Sequence, residues 1–120
     1  MSGHRVRQDM ASVDTLIMSN VDGERLDERR TWGAQYCMNS AGAETRKMVP
    51  PSCSGQKLML VAGTLVGDIN VVYTDTWDGS TGTDLVFEAA GEWAIIESFY
   101  IGGSHVWRVT SKHSGVSISS

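Results

Sequence analysis

The residues best placed to bind a ligand are three aspartates in a glycine-containing loop. Asp75, Asp78 and Asp84 lie close together in the sequence, with Gly79 and Gly82 between them. Carboxylate oxygens suit Ca²⁺, which takes about six to eight oxygen ligands. The spacing does not match the EF-hand pattern, and a hydrated hairpin loop explains the same residues. We therefore predict no metal and no other cofactor, and keep the three aspartates as weak metal candidates.

No residue pattern in the chain is typical of an enzyme. Glu88, Glu92 and Glu97 could act as acid and base in a glycosidase-like cleft. A chain this short rarely builds a substrate groove as well as a core, so solvated strand edges explain these glutamates better. The three histidines are dispersed, and no serine or cysteine stands in a G-x-S-x-G turn. We predict a protein without catalytic residues.

The four tryptophans raise the alternative of a carbohydrate-binding module. Exposed aromatic rings on a β-sandwich can stack on sugars, whereas buried rings form the core. Trp93 and Trp107 alternate with polar residues as core side chains do. Trp77 stands in a polar loop, so we expect it to lie outside the core and to contact a partner, with a glycan as one candidate.

The two cysteines do not indicate a metal site. Cys37 and Cys53 are the only cysteines, and no C-x-x-C or H-x-x-x-H spacing occurs. A disulfide could join them. No secretory signal peptide is evident at Met1, which leads us to expect two reduced, partly buried thiols in a protein made in the cytoplasm.

The charges are unevenly distributed along the chain. The net charge is −4, and the basic residues gather in the N-terminal half. An acidic C-terminal half argues against nucleic-acid binding, and no apolar run is long enough to span a membrane. Residues 1–12 read as an extended arm in which His4, Arg5 and Arg7 could contact an acidic partner.

Five short apolar runs between Gly55 and Ser111 dominate the remaining sequence. They are rich in Val, Ile, Phe, Tyr and Trp and are separated by turn-forming residues, at a spacing typical of sandwiches and barrels. In 92–100 both faces carry apolar groups, so this strand should be central and covered on both sides. In 105–111, Trp107 and Val109 should face the core.

The N-terminal half predicts three further strands. They cover residues 13–19, 32–39 and 44–49, and Pro50-Pro51 should end the last of them. Residues 24–30 contain a single apolar residue, Leu26, and we interpret them as a solvated charge run. The sequence therefore predicts an all-β protein with one domain over residues 13–120.

The order of these segments resembles that of phage and virus structural modules. The similarity rests on four segments. The first is Val49-Pro50-Pro51-Ser52 followed by 54–61, which is similar to a "tLPpa…Gq.ltlv" pattern, and the others are 67–73, 83–98, and 102–110 with Trp107 in a closing "dG.W.v" strand. Such modules occur in capsid decoration proteins and tail fibres. The resemblance implies a small β-sandwich, jelly-roll or tulip-like module without catalytic residues.

The function implied by the resemblance is structural. It predicts a capsid decoration or cement protein on the virion surface, a homotrimer that binds the major capsid protein. A tail-fibre or receptor-binding tip is the alternative among structural proteins, and a carbohydrate-binding module is the alternative from another class.

Overall fold

The structure is a computed structural model that describes residues 16–27 and 34–120. The predicted N-terminal arm, with His4, Arg5 and Arg7, lies outside the described residues, and so does Trp32. Within the described residues the secondary structure is entirely β. The strands, in chain order, are β1 (Leu16–Ser19), β2 (Glu24–Leu26), β3 (Ala34–Ser40), β4 (Glu44–Met48), β5 (Lys57–Leu65), β6 (Ile69–Val72), β7 (Asp84–Phe87), β8 (Trp93–Ile101), β9 (Ser104–Lys112) and β10 (Ser117–Ser119).

The strands form two sheets of five that pack face to face. The front sheet has the order β1-β3-β5-β8-β9, and the back sheet has the order β10-β7-β6-β4-β2. From β1 to β6 the chain alternates between the sheets, so β1, β3 and β5 pair in parallel and so do β2, β4 and β6. Strands β7 to β10 add antiparallel pairs. The all-β sandwich is confirmed, with mixed pairing in place of the antiparallel pairing of a jelly roll.

The core lies between the inner faces of the two sheets. Alternate residues of each strand are buried, as the period of two in a β-strand requires. Trp107 is fully buried, and its indole Nε1 donates to the Val49 carbonyl 2.9 Å away. Val109 packs against the same cluster, which confirms the core face predicted for β9.

One charged side chain lies wholly inside the sandwich. The Arg46 guanidinium donates through Nε to Ser19 Oγ at 2.7 Å, through Nη2 to the Asn39 carbonyl at 2.7 Å, and through Nη1 to Glu44 Oε1 at 2.9 Å. The Ala41 backbone N–H and the Arg46 guanidinium hold the pKa of Glu44 below its usual value. Arg46 thereby joins β4 of the back sheet to β1 and β3 of the front sheet.

The interpretation of residues 24–30 as a solvated charge run was wrong for its first part. Residues 24–26 form β2, an edge strand that pairs in parallel with β4. Leu26 is fully buried opposite Met48 and anchors the strand. The ladder with β4 satisfies the backbone groups on one side of this edge strand, and the buried Leu26 side chain holds it against the core.

The expectation that β8 is covered on both sides was also wrong. Ala94, Ile96 and Ser98 face the core and are buried, whereas Trp93 and Ile95 point outward and are only partly buried. A sandwich has two layers, so one face of every strand must point away from the core. The outer face of β8 therefore carries apolar side chains that are not part of the core.

Candidate interaction surface

The outward side of the front sheet is mostly apolar across four neighbouring strands. Strand register places one row across Leu16, Gln35, Met59 and Ile95, and the next row across Met18, Cys37, Val61 and Trp93. Seven of these eight side chains are apolar. We call these two rows the outer face.

The outer face breaks the usual alternation of a two-layer sandwich. Antiparallel and mixed sheets with one solvated face normally place polar residues on that face. Here Leu16 is 54% exposed and Met18 is 51% exposed, while the other members are partly buried by their neighbours. Contiguous apolar surface that is exposed is a candidate contact surface for another macromolecule.

A row of charges borders the outer face. Lys57, Glu97 and Arg108 lie side by side on β5, β8 and β9, so their signs alternate across the sheet. Arg108 is held in place because its Nη1 donates to the Thr76 carbonyl at 2.8 Å. An apolar centre with a charged rim is the usual anatomy of a protein–protein interface.

The β8–β9 hairpin adds further apolar surface beyond this charged row. Phe99 is 39% exposed and Ile101 is 48% exposed, and both point to the side of the outer face, whereas Tyr100, which is 63% exposed, points to the opposite side next to the turn at Gly102 and Gly103. Both glycines have positive φ, a backbone conformation that other residues adopt at a cost. The Tyr100 ring lies 5.0 Å from the His105 ring across the hairpin. The hairpin therefore presents an aromatic and an aliphatic side chain at its end.

Trp77 does not belong to the surface, which corrects its predicted role in partner binding. It is fully buried, its ring lies 5.0 Å from that of Tyr73, and its Nε1 donates to the Val71 carbonyl at 3.2 Å. The polar loop folds back on β9, where the Val109 N–H donates to the Trp77 carbonyl at 3.0 Å. A ring enclosed in this way cannot stack on a sugar.

The three aspartates predicted as weak metal ligands accept hydrogen bonds from groups close to them in the chain. Asp78 Oδ1 accepts from the N–H of Ser80 at 2.9 Å and of Gly82 at 3.2 Å. Asp75 Oδ1 accepts from the Thr76 N–H, and Asp84 Oδ1 accepts from the Thr83 hydroxyl. Among the residues that the structure describes, no group of three acidic, histidine or cysteine side chains is placed to hold a metal ion.

The Asp78 cap predicts a pH-dependent contribution to stability. The Ser80 N–H, followed by the other hydrogen bonds and Arg108, lowers the pKa of Asp78 below its ordinary 3.8. Because the pKa is depressed in the folded state, this contribution is present above the unfolded-state pKa and is lost as the pH falls through the folded-state pKa. We expect Asp78→Asn to lower the melting temperature at pH 7 and to lower it less at pH 2.

Thermal unfolding followed by circular dichroism at both pH values measures this effect. Asp68→Asn is the matched control, because Asp68 is exposed and its carboxylate forms none of the hydrogen bonds found in the described part of the chain. An equal loss in Asp78→Asn at pH 7 and at pH 2 would contradict the assignment.

Cys37 lies on the outer face, and Cys53 lies on the surface just before β5. Both are thiols; Cys37 is partly buried, as predicted, and Cys53 is exposed. Gln56 Nε2 lies 3.4 Å from Cys53 Sγ. Cys37 contributes a small apolar group to the second row of the outer face.

Sequence reasoning missed the outer face, although the sequence contains its signal. Apolar residues occupy both faces of β5 and β8, which indicates two contact surfaces for each strand. The expectation of a second covering layer came from this signal. The sequence does not show that Leu16 and Met18 extend the same apolar rows onto β1. The parallel partner of β1 is reached through a crossover, and such pairing produces no pattern among neighbouring residues in the sequence.

Comparison with known proteins gives no assignment: no protein-family model matches the chain, and a search of curated proteins finds no similar sequence. In residues 16–27 and 34–120 there is no helix long and apolar enough to cross a membrane.

Proposed function

We propose that this chain is a structural subunit of a virion, a capsid decoration protein that attaches to the capsid as a homotrimer. The observation that supports self-assembly is the apolar outer face of the front sheet. The segment order from Val49 to Thr110 and its resemblance to phage and virus structural modules support the placement on a virion. The protein works by adhesion, through surface that is buried when copies associate.

The size of the outer face sets what an interface must contain. Strands about 4.8 Å apart and rows about 7 Å apart give the two rows a projected area on the order of 250 Å². Burial of that area on two copies would contribute about 12 kcal/mol at about 25 cal/mol per Å². Association itself costs about 4–15 kcal/mol. The free energy gained by burying the two rows is about equal to the cost of association. A stable interface must therefore also cover the charged row and the β8–β9 hairpin.

A second copy of the chain is the partner that best complements the outer face. A cyclic trimer can place the outer face at its threefold axis, where the apolar faces of all three copies converge; away from that axis the contacts join two different surfaces of neighbouring copies. The alternating signs of Lys57, Glu97 and Arg108 allow opposite charges to meet at the rim when two copies approach. The resemblance favours three copies.

Substitution on the outer face should dissociate the assembly. We expect the native protein to have three times the 13.0 kDa chain mass, and Met18→Lys to shift it to the monomer, because a buried unpaired ammonium opposes association. Val66→Lys is the matched control, since Val66 is also more than half exposed but lies in the turn after β5. Light scattering coupled to size-exclusion chromatography at micromolar concentration measures the mass.

Two outcomes would argue against this interface. A monomeric mass for the native protein would remove the proposed self-assembly. Equal dissociation of the Val66→Lys and Met18→Lys variants would show that added charge, rather than the outer face, decides the oligomeric state. Both variants place a lysine at an exposed position, so neither should unfold the monomer.

Attachment to the capsid needs a separate experiment. Native protein mixed with capsids stripped of it should co-sediment at a fixed ratio of copies to capsid subunits. A tail-fibre or receptor-binding tip would leave the capsids bare and bind host cells. Co-sedimentation no greater than that of an unrelated acidic protein of similar size would contradict the decoration role.

A further inference from the structure

Two cations stand directly opposite each other on the back sheet. Arg25 of β2 and Lys47 of β4 are register partners, and both side chains are exposed. Like charges placed opposite each other across a strand pair destabilise a sheet. Two adjacent cations are unexpected on the surface of a protein of net charge −4, and their placement is consistent with a binding role.

No carboxylate of the described residues neutralises this pair. Within residues 16–27 and 34–120, neither Arg25 nor Lys47 takes part in an ion pair or a side-chain hydrogen bond. The nearby acids are engaged elsewhere. Asp22 Oδ1 accepts from the Thr45 N–H, Glu24 Oε1 accepts from the Ser19 hydroxyl, and Glu44 pairs with Arg46.

The two cations line a groove with an apolar wall. The groove has a volume of about 310 Å³, and it is lined by Gly23, Arg25, Lys47, Met48, Val49, Pro50 and Thr74. Val49 and Pro50 follow β4 and form a wall beside the cationic pair, and Thr74 adds a hydroxyl. The groove therefore combines two positive charges with apolar surface in a space that suits one or two side chains.

We propose that this groove binds the carboxylates of an acidic peptide segment on a protein partner. Two cations on neighbouring strands can both reach one carboxylate or two adjacent ones. A nucleic acid would require a longer track of cations, and an anionic membrane would require a larger cluster than two. The apolar wall suits the side chain that accompanies the carboxylate. The groove lies on the back sheet, so this site is independent of the outer face and of the virion assignment.

The test is a titration of the full-length, ¹⁵N-labelled chain with a peptide probe. The probe is an acetylated and amidated peptide with two glutamates between leucines, and its control carries glutamine in place of each glutamate. Amide signals of Gly23 to Arg25 and of Lys47 to Val49 should shift with the glutamate peptide and not with the glutamine peptide. Raising the salt from about 20 to 300 mM should weaken binding, because screening shortens the range of the attraction.

Charge-neutralising variants separate the groove from general attraction. The double variant Arg25→Gln with Lys47→Gln should weaken binding at least about tenfold, and Lys112→Gln on β9 of the front sheet should leave it unchanged. Both groove residues are exposed, so the double variant should melt at or above the native temperature, which checks that it is folded.

Three results would overturn the proposal. The first is equal binding of the glutamate and glutamine peptides. The second is that the double variant binds the glutamate peptide as tightly as the native protein does. The third is a response of the same amides to inorganic phosphate without any response to the peptide, which would assign the groove to a small oxyanion.

Discussion

Arg46→Met should lower the free energy of unfolding by about 3–5 kcal/mol, because it removes a fully buried guanidinium and leaves the acceptors of its hydrogen bonds without a donor. Glu44 would lose its guanidinium, and the Ser19 hydroxyl and the Asn39 carbonyl would each lose a hydrogen bond of 2.7 Å. A domain of this size has a total stability of about 5–15 kcal/mol. The variant should therefore be folded only marginally. Urea denaturation should show a lower midpoint with an unchanged slope.

The neighbouring residue supplies the control for this prediction. Lys47→Met makes a comparable change one position along β4, but Lys47 is exposed, so its effect should stay within about 0.5 kcal/mol. Arg46→Lys should lower the free energy of unfolding by an intermediate amount, because one ammonium cannot reach all three groups that the guanidinium bridges. If Arg46→Met were as stable as Lys47→Met, the network would make no net contribution to holding the sheets together.

Trp77→Ala should also destabilise the fold by about 3–5 kcal/mol, as expected when a large buried aromatic side chain is removed. The indole is fully buried against Tyr73, and its Nε1 hydrogen bond to the Val71 carbonyl would be lost. The cavity would lie under the loop that docks on β9, so the loop should loosen as well. Urea denaturation measures the stability, and the near-ultraviolet circular dichroism of the aromatic residues reports the packing.

Tyr100→Ala is the comparison for Trp77→Ala. Tyr100 is 63% exposed at the β8–β9 hairpin, so its removal should cost little stability. Trp77→Ala with native stability but without the capacity to bind a glycan would restore the carbohydrate-binding alternative. Loss of stability in Trp77→Ala alone would support the role of Trp77 in the core.

The strands of the C-terminal half could be predicted from the sequence because their signals are local. Runs such as 57–62 and 92–100 are rich in β-forming residues and bounded by turn formers, and the structure contains β5 and β8 at those places. Trp107 could be assigned to the core from alternation with Arg108. Such inferences need only the period of two and the turn residues on either side.

The features that could not be predicted depend on residues far apart in the chain. Arg46 is buried although arginine rarely is, because Ser19 and Asn39 arrive from other strands to receive its hydrogen bonds. Trp77 is surrounded by polar residues in sequence, and only the docking of its loop on β9 encloses it. The outer face likewise depends on which strands become neighbours, and that depends on the crossovers.

The alternation of the chain between the two sheets has a consequence for how the protein folds. Paired residues such as Leu16 and Gln35, or Ser117 and Val86, are roughly 20 to 30 positions apart, so contact order is high and folding should be slow. During synthesis, β5 cannot pair with β8, nor β6 with β7, until the later strand has been made. Until then the unpaired strand edges and the apolar side chains of β5 and β6 are exposed. Exposed edges favour aggregation. Reduced temperature and weaker induction lower the concentration of incomplete chains, so they should raise the yield of folded protein over inclusion bodies.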